Sequence, residues 1–274
     1  MLKQRVLTAL PLTALIIWGI FTQPAETIFY ALLLLTLIAG WEWSALSGIS
    51  SKPLRGVYAL SIVVLVYISQ QIINAHPQWL SMVLLFSVLV WLVAIFHMFG
   101  KGPQDANQQF SKIKFLLGFV FLIPPILALM LIREQPDGKS WLFYCLSIVS
   151  FADTGAYFAG KRFGKNKLAP MISPGKTREG LYGGVFVTAS YSVLAGVYFE
   201  LQAIQMVMLL IITVLSTFVS VTGDLFVSLL KRERGLKDTG HILPGHGGIL
   251  DRIDSIISSV PFIALLLSAV IFNV

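Results

Sequence analysis

Apolar runs of roughly twenty residues recur along the chain, each ended by a short break rich in polar residues, Gly or Pro. A helix rising about 1.5 Å per residue needs about 20 mostly apolar residues to cross the hydrocarbon core of a bilayer. On that criterion the pattern predicts nine spans, at about 6–22, 27–46, 57–75, 79–99, 113–132, 140–160, 181–199, 203–230 and 253–273. The first is short and follows Lys3 and Arg5, as a secretory leader would. Gln23-Pro24-Ala25-Glu26 is a poor cleavage site, however, and eight runs follow, so it is read as a membrane helix. Pro124-Pro125 predicts a kink in the fifth span, because proline removes a ladder donor and crowds the preceding turn. The predicted fold class is an all-α polytopic integral membrane protein.

Composition supports this reading. Of 274 residues, 56% are hydrophobic and 12% charged, and the mean hydropathy is +0.81. A water-soluble domain carries about twice that charged fraction. The single cysteine, Cys145, lies in an apolar run and excludes an internal disulfide or a dithiol redox motif. With the N-terminus in the cytoplasm, the inside segments hold 18 of the 20 Lys and Arg, and the outside loops only Arg133 and Lys139. The positive-inside rule therefore predicts a cytoplasmic N-terminus. Eleven of those 18 fall within 161–178 and 231–252. Residues 1–112 read as a plain four-helix part. Residues 113–274 read as a five-helix part that carries the chemistry in two basic cytoplasmic loops, 161–180 and 231–252.

Intramembrane carboxylates are costly and mark functional candidates. Asp153 and Asp224 each lie about seven residues before the cytoplasmic end of a span, roughly 10 Å deep by helical rise. Equal depth points to a shared cavity; pairing for packing alone is the other reading of each. Glu42, between Trp41 and Trp43, reads as an interfacial residue. The richest stretch is 228–254. Lys231, Arg232, Arg234, Lys237 and Arg252 match phosphate oxygens, and Gly245, Gly247 and Gly248 let backbone N–H groups approach an anion where the last helix starts. Asp251 and Asp254 share one face of its first turn. Carboxylates beside phosphate donors suit a magnesium–nucleotide site, while a solvated basic loop with an acidic helix start accounts for the aspartates singly. Ser173-Pro-Gly-Lys176-Thr177 reads either as a phosphate clamp or as a turn capping the seventh helix. Gly155 to Lys161 spells a P-loop fragment but Arg162 stands where Ser or Thr is required, and His241 with His246 lacks the partners of a closed zinc site.

Residues 228–254 match S-x-x-K-R-x4-K-D-x-G-x2-L-P-x-H-G-G-x-x-D-R-x-D at every defined position. On that stretch, with Ala152-Asp-Thr-Gly155 and Ser173-Pro-x-Lys-Thr177, the chain resembles the phosphatidate cytidylyltransferases, or CDP-diacylglycerol synthases. Arg178 stands where many relatives carry tryptophan. The resemblance implies the reaction CTP + phosphatidate → CDP-diacylglycerol + pyrophosphate with Mg2+, and it allows a second, monovalent cation. It implies catalytic roles for Asp224, Asp251, Lys231, Arg232, Lys237, Asp238, His246, Arg252 and Asp254. Asp224, Asp251 and Asp254 are its expected metal ligands, and Asp153, Ser173, Lys176, Thr177, Gly247 and Gly248 its substrate-binding residues. A bacterial cytoplasmic (inner) membrane with the site facing the cytoplasm is expected, and a homodimer is allowed. The alternatives are CTP-dependent activation of another lipid phosphate and an ion-coupled transporter, though no repeated halves are evident. Nucleic-acid binding is not expected, since topology and phosphate chemistry account for the basic residues.

Overall fold

Backbone carbonyls and N–H groups have no water to bond in a bilayer, so each apolar run must satisfy them internally as a helix. The computed structural model describes residues 2–101, 109–242 and 247–272. Nine α-helices occur among the described residues: α1 (Leu2–Thr22), α2 (Ala25–Leu46), α3 (Lys52–Ala75), α4 (Gln78–Lys101), α5 (Lys112–Glu134), α6 (Gly138–Phe163), α7 (Arg178–Tyr198), α8 (Ala203–Glu233) and α9 (Leu250–Leu267). A π-helical turn, Ser268–Phe272, continues α9. Eight, α2 to α9, are long and apolar enough to cross a membrane, whereas the described apolar stretch of α1, Leu10–Thr22, is shorter. The protein is an all-α integral membrane bundle with one addition that the sequence pattern did not announce. Strands β1 (Lys167–Ala169) and β2 (Ser173–Thr177) form a small antiparallel hairpin, pairing Lys167 with Thr177 and Ala169 with Ser173.

The bundle shares its core across the chain. Trp43 of α2, Trp91 of α4, Phe121 of α5 and Phe226 of α8 interlock, with Trp91 and Phe121 stacked at 3.9 Å and Phe226 edge-on to both. Helix α5 runs on through Pro124 and Pro125 as one helix. Pro124 has no N–H for the Val120 carbonyl, and the Ser87 hydroxyl lies 3.5 Å from that oxygen instead. Helices α6 and α7 approach to backbone contact through Gly155, Gly183 and Gly184. A Cβ on Gly184 would lie 2.8 Å from the Ala152 carbonyl oxygen, and one on Gly155 2.7 Å from that of Gly183. Hydroxyl pairs Tyr144–Thr213 (2.6 Å) and Thr188–Thr217 (2.9 Å) bind α6 and α7 to α8.

The predicted division of loops corresponds to two physical ends. At one end Ser111 N–H donates to Ser47 O (2.8 Å), Arg234 to Gln109 O (3.4 Å) and Arg232 to Ile172 O (3.4 Å). The loops following α2, α4, α6 and α8 therefore meet there. At the other end Lys139 and Arg133 donate to Phe21 O and Gln23 O (2.8 and 3.1 Å). These two cations, the only basic residues of the predicted outside loops, satisfy carbonyls at and just beyond the α1 C-terminus.

Candidate active site

The loop end of the bundle contains a cavity of about 200 Å³ lined by Asp153, Asp224, Asp238, Asp251 and Asp254, with Lys231, Arg252 and Ser255. Among the described residues, no apolar side chain lines it. The predicted meeting of Asp153 from α6 with Asp224 from α8 is thus realised, and the first turn of α9 adds its two aspartates.

Each carboxylate has a different setting. Asp224 Oδ2 is 2.7 Å from Lys176 Nζ, and its Oδ1 accepts from the Ser228 hydroxyl at 3.2 Å. The hairpin makes this possible: β2 carries Lys176 to the side of α8, where the ammonium also reaches Val221 O (3.3 Å). Thr177, at the end of the strand, caps α7 by accepting from Gly180 N–H at 3.1 Å, as the turn-capping reading of the Ser173–Thr177 stretch expects. Asp254 is buried, and among the described residues its carboxylate accepts only the Ser255 N–H, at 2.7 Å. Asp153 makes no hydrogen bond or ion pair among the described residues. It lies within electrostatic range of Lys176, Asp224 and Arg252.

Asp251 is engaged on both oxygens. Oδ1 pairs with the buried ammonium of Lys231 at 2.7 Å; Oδ2 accepts from Thr239 N–H (2.8 Å) and Gly248 N–H (3.0 Å), with the Thr239 hydroxyl 3.0 Å away. Lys231 is therefore held by a carboxylate in this structure. The α9 N-terminus also departs from the expected anion site. Ile249 and Leu250 N–H donate to Glu42 of α2, at 3.0 Å to Oε1 and 2.7 Å to Oε2. Glu42 is 2% exposed, not interfacial, and it supplies the anion that the helix terminus favours. Gly248 is required because a side chain there would strike Glu42 and Thr239, and Gly247 because its φ is +85°.

Asp238, Asp251 and Asp254 lie within the 228–254 stretch, and Glu42, Asp153 and Asp224 come to them from α2, α6 and α8. A model of the Cytidylyltransferase family matches residues 3–270. The chain belongs to that family. The phosphatidate cytidylyltransferase of Pseudomonas aeruginosa is 36% identical over 272 residues, covering 98% of each chain. That of Haemophilus influenzae is 33% identical over 284 residues, 96% of this chain and 97% of the relative. That of Staphylococcus haemolyticus is 29% identical, covering 97% and 99%. The protein is thus a nucleotidyltransferase built inside a membrane bundle.

Of the remaining expected residues of this cytidylyltransferase, Arg252 and Asp238 line the cavity. Arg252 is exposed into the cavity, and Lys237 and Asp238 are exposed on the α8–α9 loop. Arg232 bridges Ile172 O and Leu236 O, tying hairpin to loop. Ser173 is half-buried at the start of β2. His246 lies outside the described residues. Among the described residues the anionic donors of the lining are all carboxylates, with no histidine or cysteine beside them, which fits a hard divalent cation. Among the described residues no three acidic, imidazole or thiol groups close a cage by themselves. Magnesium does not ask for one, since it takes one or two carboxylates and completes its shell with water and substrate phosphate. Sequence reasoning missed Glu42 and Thr239. Their only signal was a carboxylate between two tryptophans and a Thr inside the signature.

Proposed function

We propose that the protein transfers the cytidylyl group of CTP to phosphatidate, forming CDP-diacylglycerol and pyrophosphate, at the cytoplasmic face of a bacterial inner membrane. What carries this is the polar cavity formed by the 228–254 stretch together with Asp153 and Asp224, the latter paired with Lys176. It is supported by relatives named phosphatidate cytidylyltransferase over nearly the whole chain. The basic end faces the cytoplasm by the positive-inside rule, which is where CTP is found.

An oxygen of the phosphatidate phosphate attacks the α-phosphorus of CTP. The new P–O bond forms as the bond from the α-phosphorus to the bridging oxygen of the β-phosphate breaks, and pyrophosphate leaves with that electron pair. The nucleophile is already ionised near neutral pH, so no side chain has to take a proton. Catalysis then rests on positioning and charge neutralisation. Arg252 and Lys176 hold phosphate oxygens, and Lys231 joins them by leaving Asp251. Asp224 and Asp254, with Asp153 beside them, would hold magnesium, and Asp251 would add an oxygen once Lys231 has left it. When bound, the cation supplies neutralisation of charge developing on the phosphates.

The test is purified protein in detergent with phosphatidate, labelled CTP and magnesium, a chelator control, and Asp254→Asn. Metal-dependent labelled CDP-lipid, reduced at least a hundredfold in the variant, is the expected result. Product only from a different lipid phosphate would replace the substrate, and folded protein inactive on every lipid phosphate would sink the reading.

A further inference from the structure

Beside the polar cavity lies a larger one of about 440 Å³, bounded on one side by Trp41 and Arg55 and on the other by the α8–α9 loop with Arg234, Asp238, Thr239 and Gly240. Asp238 lines both cavities, so they are neighbours across one residue of the loop. Their linings differ in kind. The first has charge and no apolar surface, whereas the second adds Trp41, Ala45, Leu236 and Ile242 to its polar groups. Trp41 remains 37% exposed although neighbouring Trp43 is fully buried. The Arg55 and Arg234 guanidiniums lie within electrostatic reach of each other. Arg55 is fixed by its Nε–H donating to Ile49 O at 2.7 Å, which leaves its terminal amino groups as donors.

We propose that this second cavity receives the cytosine of the nucleotide, with the triphosphate crossing Asp238 into the polar cavity. The inference rests on the CTP reading above and adds where the base is read and by which residues. A polyphosphate alone has no use for an aromatic and aliphatic wall, while a planar base does. Stacking on an aromatic face is tolerant of base identity, so selection has to come from the edge. Cytosine presents two adjacent acceptors, O2 and N3, which suit a guanidinium fork, and its N4 amino group donates to a carboxylate or carbonyl such as those of Asp238 and Gly240. Uracil turns an N3–H toward the same guanidinium and an acceptor toward the same carboxylate, so both contacts become repulsive. Residues 1–112 thereby supply half of the nucleotide site through Trp41 and Arg55.

The experiment compares binding of CTP, UTP and inorganic tripolyphosphate to the full-length protein by titration calorimetry, with KM values for CTP and phosphatidate measured in parallel. Trp41→Ala and Arg55→Ala are expected to weaken CTP about ten- to a hundredfold. Tripolyphosphate binding and the KM for phosphatidate stay within about twofold. Arg55→Ala also narrows the preference for CTP over UTP, and Trp41→Phe restores CTP binding. Equal losses for CTP and tripolyphosphate would make the cavity a phosphate site and overturn the proposal. A rise in the phosphatidate KM alone, or no change at all, would overturn it as well. Should the wild type bind CTP yet make no CDP-diacylglycerol, the reaction assignment fails while the base site is still judged by the calorimetry.

Discussion

The Thr239 hydroxyl stands 3.0 Å from both Glu42 Oε2 and Asp251 Oδ2 and has one proton to give. Two carboxylates can face it only because other donors serve each of them: the α9 N–H groups for Glu42, and Lys231 with Gly248 for Asp251. Glu42→Gln sets an amide NH2 against a backbone N–H, and one buried donor loses its acceptor at a cost of about 1–3 kcal/mol. We expect a lower thermal midpoint in detergent and at least a tenfold loss of turnover. An unaltered midpoint would show that Glu42 does not hold the α9 terminus. Asp251→Asn leaves the Lys231 ammonium buried beside a neutral partner; breaking such a pair costs about 3–5 kcal/mol. Its loss of turnover should therefore come with measurable destabilisation, whereas Asp254→Asn should lose turnover with the midpoint preserved. Denaturation curves of the two variants separate the roles.

Elements are placed here by contacts of different reach. The α6–α7 pair depends on glycine, since a side chain on Gly183 would run into Ala159 and the Gly155 carbonyl. Gly183→Leu should separate the pair and move β2 with it, because Thr177, the last residue of the strand, is also the cap of α7. The expected result is loss of CTP turnover together with a lower midpoint; full activity would show that the hairpin holds its place without α7. The spans themselves were legible in the sequence as long, predominantly apolar runs, even where Asp153 and Asp224 interrupt two of them. The hairpin was not. Lys-Leu-Ala and Ser-Pro-Gly-Lys-Thr lack alternation, contain Pro and Gly, and are strands only because they pair with each other. Lys176 stands out in the sequence as a phosphate-binding candidate, but its 2.7 Å pairing with Asp224 is a tertiary fact that no spacing within the loop encodes.

For the molecule as a whole, charge predicts a sidedness, whereas helix neighbours were not readable. Core-facing and lipid-facing positions are both apolar, so periodicity does not say that Trp43, Trp91, Phe121 and Phe226 meet. Cys145 is 0% exposed, so the wild-type chain should be silent to a membrane-impermeant maleimide. Lys237→Cys should then label only in inverted vesicles and Lys139→Cys only from the outside of intact cells. The opposite pattern would invert the topology and remove the cytoplasmic site. The Glu42–Leu250 contact spans 208 residues of chain, and this separation orders the birth of the protein. When α2 has been synthesised and inserted, Glu42 has nothing to cap. Asp251 and Asp254 take their positions only after α9 emerges from the ribosome and docks against a helix made long before. With Asp251 and Asp254 in the roles proposed above, a nascent chain halted anywhere upstream of α9 would sit in the bilayer without nucleotide chemistry, and activity would first arise at the final assembly step.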